Sequence, residues 1–113
     1  MKNVAWGKTS RPVMALLDLL GRRWALRVLW ELRGTRLNFR ALLAATDVSP
    51  SVLNTRLAEL REAGIVDHGV DDGYGLTHEG AELLSRLLPL HDWAEAWARR
   101  GESARATRTP KRH

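Results

Sequence analysis

The five residues Thr46-Asp47-Val48-Ser49-Pro50 constrain this chain more tightly than any other stretch. Thr46-Asp47-Val48 reads as a three-residue turn. Ser49 then offers a hydroxyl to the free N–H groups of a new helix, and Pro50 presets the backbone of its first position. Counted at about 100° per residue from Leu53, the residues Leu57, Leu60, Ala63 and Val52 cluster on one side of that helix. Ser51, Thr55, Ala58 and Glu62 point the opposite way, flanked by Asn54. One side is core, and the other is small and polar. Before the turn, Asn38 can cap a short helix whose inward side is Phe39, Leu42 and Leu43 and which ends near Ala45.

The flanking segments complete a pattern. Val13, Leu16, Leu17 and Leu20 fall at helical spacing from Pro12, with Ser10 as N-cap and Gly21 as the stop. A second helix is predicted from Arg23 to Leu32. There Trp24, Ala25, Leu26, Val28, Leu29 and Leu32 fill more than half the circumference, which predicts a buried central helix with Trp24 in the core. After Gly64, the residues Ile65, Val66 and Val70 precede Asp71-Asp72-Gly73, and Tyr74 and Leu76 follow, as in a short hairpin. Thr77 caps a fifth helix carrying Leu83, Leu84, Leu87, Leu88, Leu90, Trp93, Ala94 and Trp97, with a kink or restart at Pro89. Residues 101 to 113 have no apolar period and read as a disordered basic tail. The expected fold is mainly α with a small β-hairpin wing, a winged helix-turn-helix. Its layout is an N-terminal arm at 1–11, the folded domain with a C-terminal dimerisation helix at 12–100, and the tail.

Composition removes several alternatives. A chain of 113 residues holds one domain of the common size, roughly 100–150 residues. Having no cysteine, it has no disulfide, thiolate nucleophile, thiol switch or Cys-ligated zinc. The start resembles no signal peptide, and no apolar run approaches the ~18 residues of a membrane span, which places the chain in the cytoplasm. The net charge of +5 is unevenly spread: +7 over residues 1–40, −5 over 41–100 and +3 over the tail. A basic N-terminal part suggests a polyanionic partner, and Arg, the majority of its cations, suits phosphate contacts.

Three stretches carry a family resemblance: Gly21-Arg22-Arg23-Trp24-Ala25-Leu26-Arg27-Val28-Leu29-Trp30-Glu31-Leu32, Val48 through Leu60, and Tyr74-Gly75-Leu76-Thr77-His78-Glu79-Gly80. In order and spacing the chain resembles the HxlR-type winged helix-turn-helix transcriptional regulators, relatives of the MarR group, over roughly residues 12 to 98. The resemblance implies a homodimer formed through N- and C-terminal helices, a recognition helix in the major groove of double-stranded DNA and a wing beside the minor groove. It implies a repressor by analogy. Three departures stand out. The cysteine common near the family's N-terminus is absent, Ala41 stands where Glu is frequent, and the short hairpin ends in Asp71-Asp72, which would repel phosphate.

Candidate contacts follow from these positions. Ser51, Asn54 and Thr55 are candidates for base edges, or else the solvated face of an amphipathic helix. Arg22, Arg23, Arg36, Arg40 and Ser49 are candidates for phosphates, with plain surface charge as the alternative for each Arg. Arg56 lies toward the core flank, where snorkelling or pairing with a carboxylate is expected. Trp93 and Trp97, with Leu90, are placed in a dimer seam, the alternative being a ligand pocket, and Trp6 either braces the other subunit or is exposed. The tail either adds nonspecific phosphate affinity or is inert. His78-Glu79 lacks a second His at metalloprotease spacing, His91-Asp92 is isolated, and no glycine-rich phosphate loop exists. No enzyme, metal or cofactor is expected, and a small-molecule effector is left open. Two other classes remain: a winged-helix protein-interaction module without DNA binding, and a small-molecule carrier using the tryptophans.

Overall fold

The computed structural model describes the backbone of residues 11–108 and side chains through residue 105. Ser10 and Trp6, with their expected roles as cap and brace, lie outside the described residues. Helix α1 spans Pro12–Leu20, α2 Ala25–Glu31, α3 Phe39–Thr46 and α4 Pro50–Glu62. The strands are β1 Val66–His68 and β2 Tyr74–Leu76, and α5 runs His78–Arg108. This is the winged helix-turn-helix order. A boundary between Ala81 and Glu82 divides the chain into two compact units.

In the first unit, α2 packs against α1, α3 and α4, as expected of a central helix. Ala25, Val28, Leu29, Leu32, Leu42, Leu53, Leu57 and Leu60 are all almost completely buried, joined by Ile65, Val66 and Tyr74. Helix α2 is shorter than predicted, because Trp24 takes a left-handed backbone, φ 77°, and stands outside it as the N-terminal flank. Bulky residues rarely adopt that conformation. Trp24 is half-buried and Leu26 is 47% exposed, so neither is the core residue that the sequence pattern suggests.

The caps are those expected. Asn38 accepts from the Ala41 N–H at 2.8 Å, and Ser49 accepts from the Val52 N–H at 3.2 Å. Between them Asp47 turns the chain in the left-handed region, φ 58°, a conformation tolerated by Asp.

The wing is antiparallel, pairing Val66 with Leu76, Asp67 with Gly75 and His68 with Tyr74. Leu37, just before α3, adds a bridge to Tyr74 through hydrogen bonds of 2.9 and 2.8 Å. The wing is thereby tied to the helix-turn-helix at its start. Thr77 ties it at its end: its hydroxyl accepts from the Gly80 N–H at 3.0 Å and donates to the Gly64 carbonyl at 2.6 Å.

Two expectations for α5 are corrected. Of the kink or restart expected at Pro89, the restart is absent, and the helix continues through the proline. Pro89 and Ser85 are both exposed, so the Ser85 carbonyl that loses its donor can be met by water. Nor does order stop at residue 100. Extending an existing helix needs no new nucleation, and Glu102, Ala104 and Arg105 are good helix formers, so α5 reaches Arg108. Among the described residues no helix is long and apolar enough to cross a membrane.

Candidate nucleic-acid interface

The outward side of α4 is built from its inward one. With Leu53, Leu57 and Leu60 sealed in the core, helical geometry turns Ser51, Asn54, Thr55 and Ala58 to solvent, and all four are exposed. Their donors and acceptors differ in availability. The Thr55 hydroxyl donates to the Ser51 carbonyl at 3.0 Å, which leaves its oxygen as an acceptor and its methyl outward. Ser49 uses an oxygen lone pair in the cap and lies 3.5 Å from the Ser51 hydroxyl. Asn54 has no side-chain hydrogen bond among the described residues, so both ends of its amide face solvent. Such an amide matches the paired donor and acceptor of adenine in the major groove.

The expected phosphate anchors fall into two groups. Arg40 is exposed in the first turn of α3 and makes no ion pair among the described residues. A cation at a helix N-terminus meets the unfavourable end of the dipole, so α3 gains nothing from it. Arg23 is exposed with its guanidinium 5.4 Å from the Trp24 ring centroid. Arg22 instead reaches across to α4, its Nη1 2.8 Å from Glu59 Oε2, and Glu59 also receives Arg56. The pairing expected for Arg56 is present, and the three side chains together retain one positive charge.

Arg36 is placed quite differently from a phosphate anchor. Its Nη2 donates to Asp67 Oδ1 at 2.6 Å and to the Gly73 carbonyl at 2.8 Å, and its Nε lies 3.0 Å from Asp72 Oδ2 as an ion pair. The hydrogen bond to Asp67, helped by the charges of Asp67 and Asp72 and opposed by desolvation, raises its pKa above the ordinary arginine value. Glycines make the room. A Cβ at Gly75 would lie 2.3 Å from Arg36 Nη1, and one at Gly69 would lie 2.1 Å from Asp72 Oδ1. Nothing in the local sequence around Arg36 signals this clamp, because its acids lie 31 and 36 positions away in the chain. One guanidinium between two carboxylates leaves the clamp with a single negative charge, and Asp71 adds another, exposed beside a Val70 that is 98% exposed. His68 stacks on Tyr74 with ring centroids 4.0 Å apart.

In the second unit, Trp93 and Trp97 stack with centroids 5.9 Å apart and are each more than half exposed, as is Leu90. Among the described residues no three of His, Asp and Glu gather into a group able to hold a metal ion.

The HxlR-like helix-turn-helix family model matches residues 19–102, a span that contains α2 through most of α5. The chain belongs to the HxlR-like helix-turn-helix family. An HTH-type transcriptional regulator of Synechocystis, sll1512, is 31% identical over 76% of this chain and 69% of its own length. Quinone-bound YodB of Bacillus subtilis superposes with a TM-score of 0.70 at 28% identity, covering 76% of this chain and 98% of that one. A possible HxlR family transcriptional factor of Thermoplasma volcanium gives 0.67 at 26% identity, covering 79% and 86%. The protein is thus a transcriptional regulator of HxlR type with a DNA-binding helix-turn-helix fold.

Proposed function

We propose that this HxlR-type regulator is a homodimeric, sequence-specific repressor whose two α4 helices enter successive major grooves about 34–36 Å apart. The observation that carries this reading is the outward side of α4, where Asn54 stands unpaired among the described residues between Ser51 and Thr55 on a helix held by its own cap. Ser51, Asn54 and Thr55 contact base edges. Arg40, Arg23 and Ser49 contact phosphates, Arg22 contributes the surplus charge of its cluster with Glu59 and Arg56, and Arg36 holds the wing. The exposed Leu90, Trp93 and Trp97 on α5, together with Val13, Met14 and Leu17 on α1, are apolar surface of the kind that a second subunit covers.

A small-molecule effector fits the same reading. YodB has a quinone-bound form, and in the present chain, which has no cysteine, a quinone would be held without a thiol adduct. Release of bound DNA on adding a benzoquinone checks this point, and unchanged binding removes quinones as effectors.

The test of the main reading is fluorescence anisotropy with labelled DNA from the intergenic region beside the protein's own gene, against a scrambled duplex, at several salt concentrations. Selective binding that weakens steeply with salt is expected, because neutralising phosphates releases counterions. Weak and equal binding to both duplexes would overturn sequence-specific recognition there. A salt-insensitive complex with a protein partner would favour the interaction-module reading, which the acidic wing tip would suit.

A further inference from the structure

We infer that Arg61, in the last turn of α4, is a DNA-phosphate contact that fixes the outer end of the recognition helix against the wall of the groove. This rests on the DNA-binding reading above and adds to it a residue outside the set picked by polar pattern.

The two flanks of α4 are unlike. On one flank Glu59 is held by Arg56 and by Arg22 from the loop after α1, so that side is committed to intramolecular pairs. On the other, Asn54, Ala58 and Arg61 follow at i, i+4 and i+7, a continuous stripe, and all three are exposed. The charged groups of the first unit sharpen the contrast. Arg22, Arg27, Arg36 and Arg56 each meet a carboxylate, while Arg23 and Arg33 lie over tryptophan rings. Arg61, like Arg40 on α3, has no ion pair, side-chain hydrogen bond or ring contact among the described residues. The adjacent exposed Glu62 makes no ion pair with it either.

Geometry selects phosphate over base for this side chain. At ~1.5 Å rise per residue, seven residues place Arg61 roughly 10 Å along the axis from Asn54. Recognition helices present their N-terminal residues to base edges, and the major groove is only about 12 Å wide. A side chain that far along, and as long as Arg, meets the backbone at the groove's edge. The plain alternative is that Arg61 serves only the negative end of the helix dipole, a role that would touch stability and leave the salt dependence of binding alone.

The experiment titrates wild-type protein, Arg61→Ala and Arg61→Lys into the labelled intergenic duplex and its scrambled control between 50 and 200 mM salt, with a melting curve for each protein. Arg61→Ala is expected to weaken both duplexes alike and to reduce the slope of log affinity against log salt by ~0.9 per protomer, or ~1.8 for a dimer. Its deficit relative to wild type should then shrink about 12-fold across that salt range, while Arg61→Lys keeps the wild-type slope. Selective wild-type binding with an unchanged slope in Arg61→Ala, whatever its melting temperature, overturns the assignment of Arg61 and leaves the DNA reading standing. Wild-type protein that binds neither duplex overturns both.

Discussion

Replacing Gly80 by Ala sets two effects of opposite sign against each other. Gly80 lies in the first turn of α5, where alanine is favoured over glycine by about 1 kcal/mol. Helix propensity alone therefore makes Gly80→Ala stabilising. The tertiary structure says the reverse. A Cβ at this position would sit 2.1 Å from the Ile65 carbonyl oxygen and 3.1 Å from the Ile65 carbonyl carbon. That is about 1.3 Å inside ordinary contact distance, and the obstacle is backbone that cannot rotate aside. The same carbonyl accepts from the Thr77 N–H at 3.0 Å and lies 3.2 Å from the Thr77 hydroxyl, whose proton is shared with the nearer Gly64 carbonyl; these contacts tie the residue before β1 to the start of α5. Forcing it away loses about 1 kcal/mol of hydrogen bonding and adds about 2 kcal/mol of packing strain. With the propensity gain subtracted, the net destabilisation is about 2 kcal/mol.

Urea denaturation at fixed protein concentration measures it. For a slope of about 1.3 kcal/mol/M the midpoint should fall by about 1.5 M. Gly101→Ala is the control within the same helix, since nothing lies within 4 Å of its added carbon. That variant should raise helicity without lowering the midpoint. If Gly80→Ala matched or exceeded wild type in stability, the close approach of Ile65 to Gly80 would be refuted, because propensity alone would then account for the result.

Other variants probe the interface. Asn54→Ala should reduce discrimination between cognate and scrambled duplex by roughly 1–3 kcal/mol; equal losses on both would remove its role in base reading. Asp71→Asn should raise DNA affinity about twofold at low salt by deleting an exposed acid near phosphate, whereas unchanged affinity would place the wing tip away from the duplex. Trp97→Ala should weaken self-association roughly thousandfold in sedimentation equilibrium, because a symmetric interface loses two anchors of about 2 kcal/mol each. An unaltered monomer–dimer equilibrium would exclude Trp97 from the seam.

Much of the architecture was legible because the signals were local. The Ser49-Pro50 start, the Asn38 cap, the inward Leu53, Leu57 and Leu60 and the hairpin around Gly73 each follow from chemistry within a few residues. Apolar period carries no signal at the C-terminus, where Ala, Glu and Arg suffice to prolong a helix already nucleated and α5 runs past residue 100.

Sequence by itself determined that this chain has a capped helix with a small, polar outward side, and that no cysteine chemistry is open to it. It also determined the total of positive charge, but only the tertiary structure decided where that charge is free. Arg36 and Arg40 look alike four positions apart, yet one is clamped by Asp67 and Asp72 while the other is exposed on α3. Likewise Arg22 is drawn across to Glu59, 37 positions away in the chain, while Arg23 beside it lies over the Trp24 ring. The physical reason is that a long cationic side chain takes its partner from whatever carboxylate the fold brings within reach. For Arg36 those carboxylates arrive from the wing, and for Arg22 from α4.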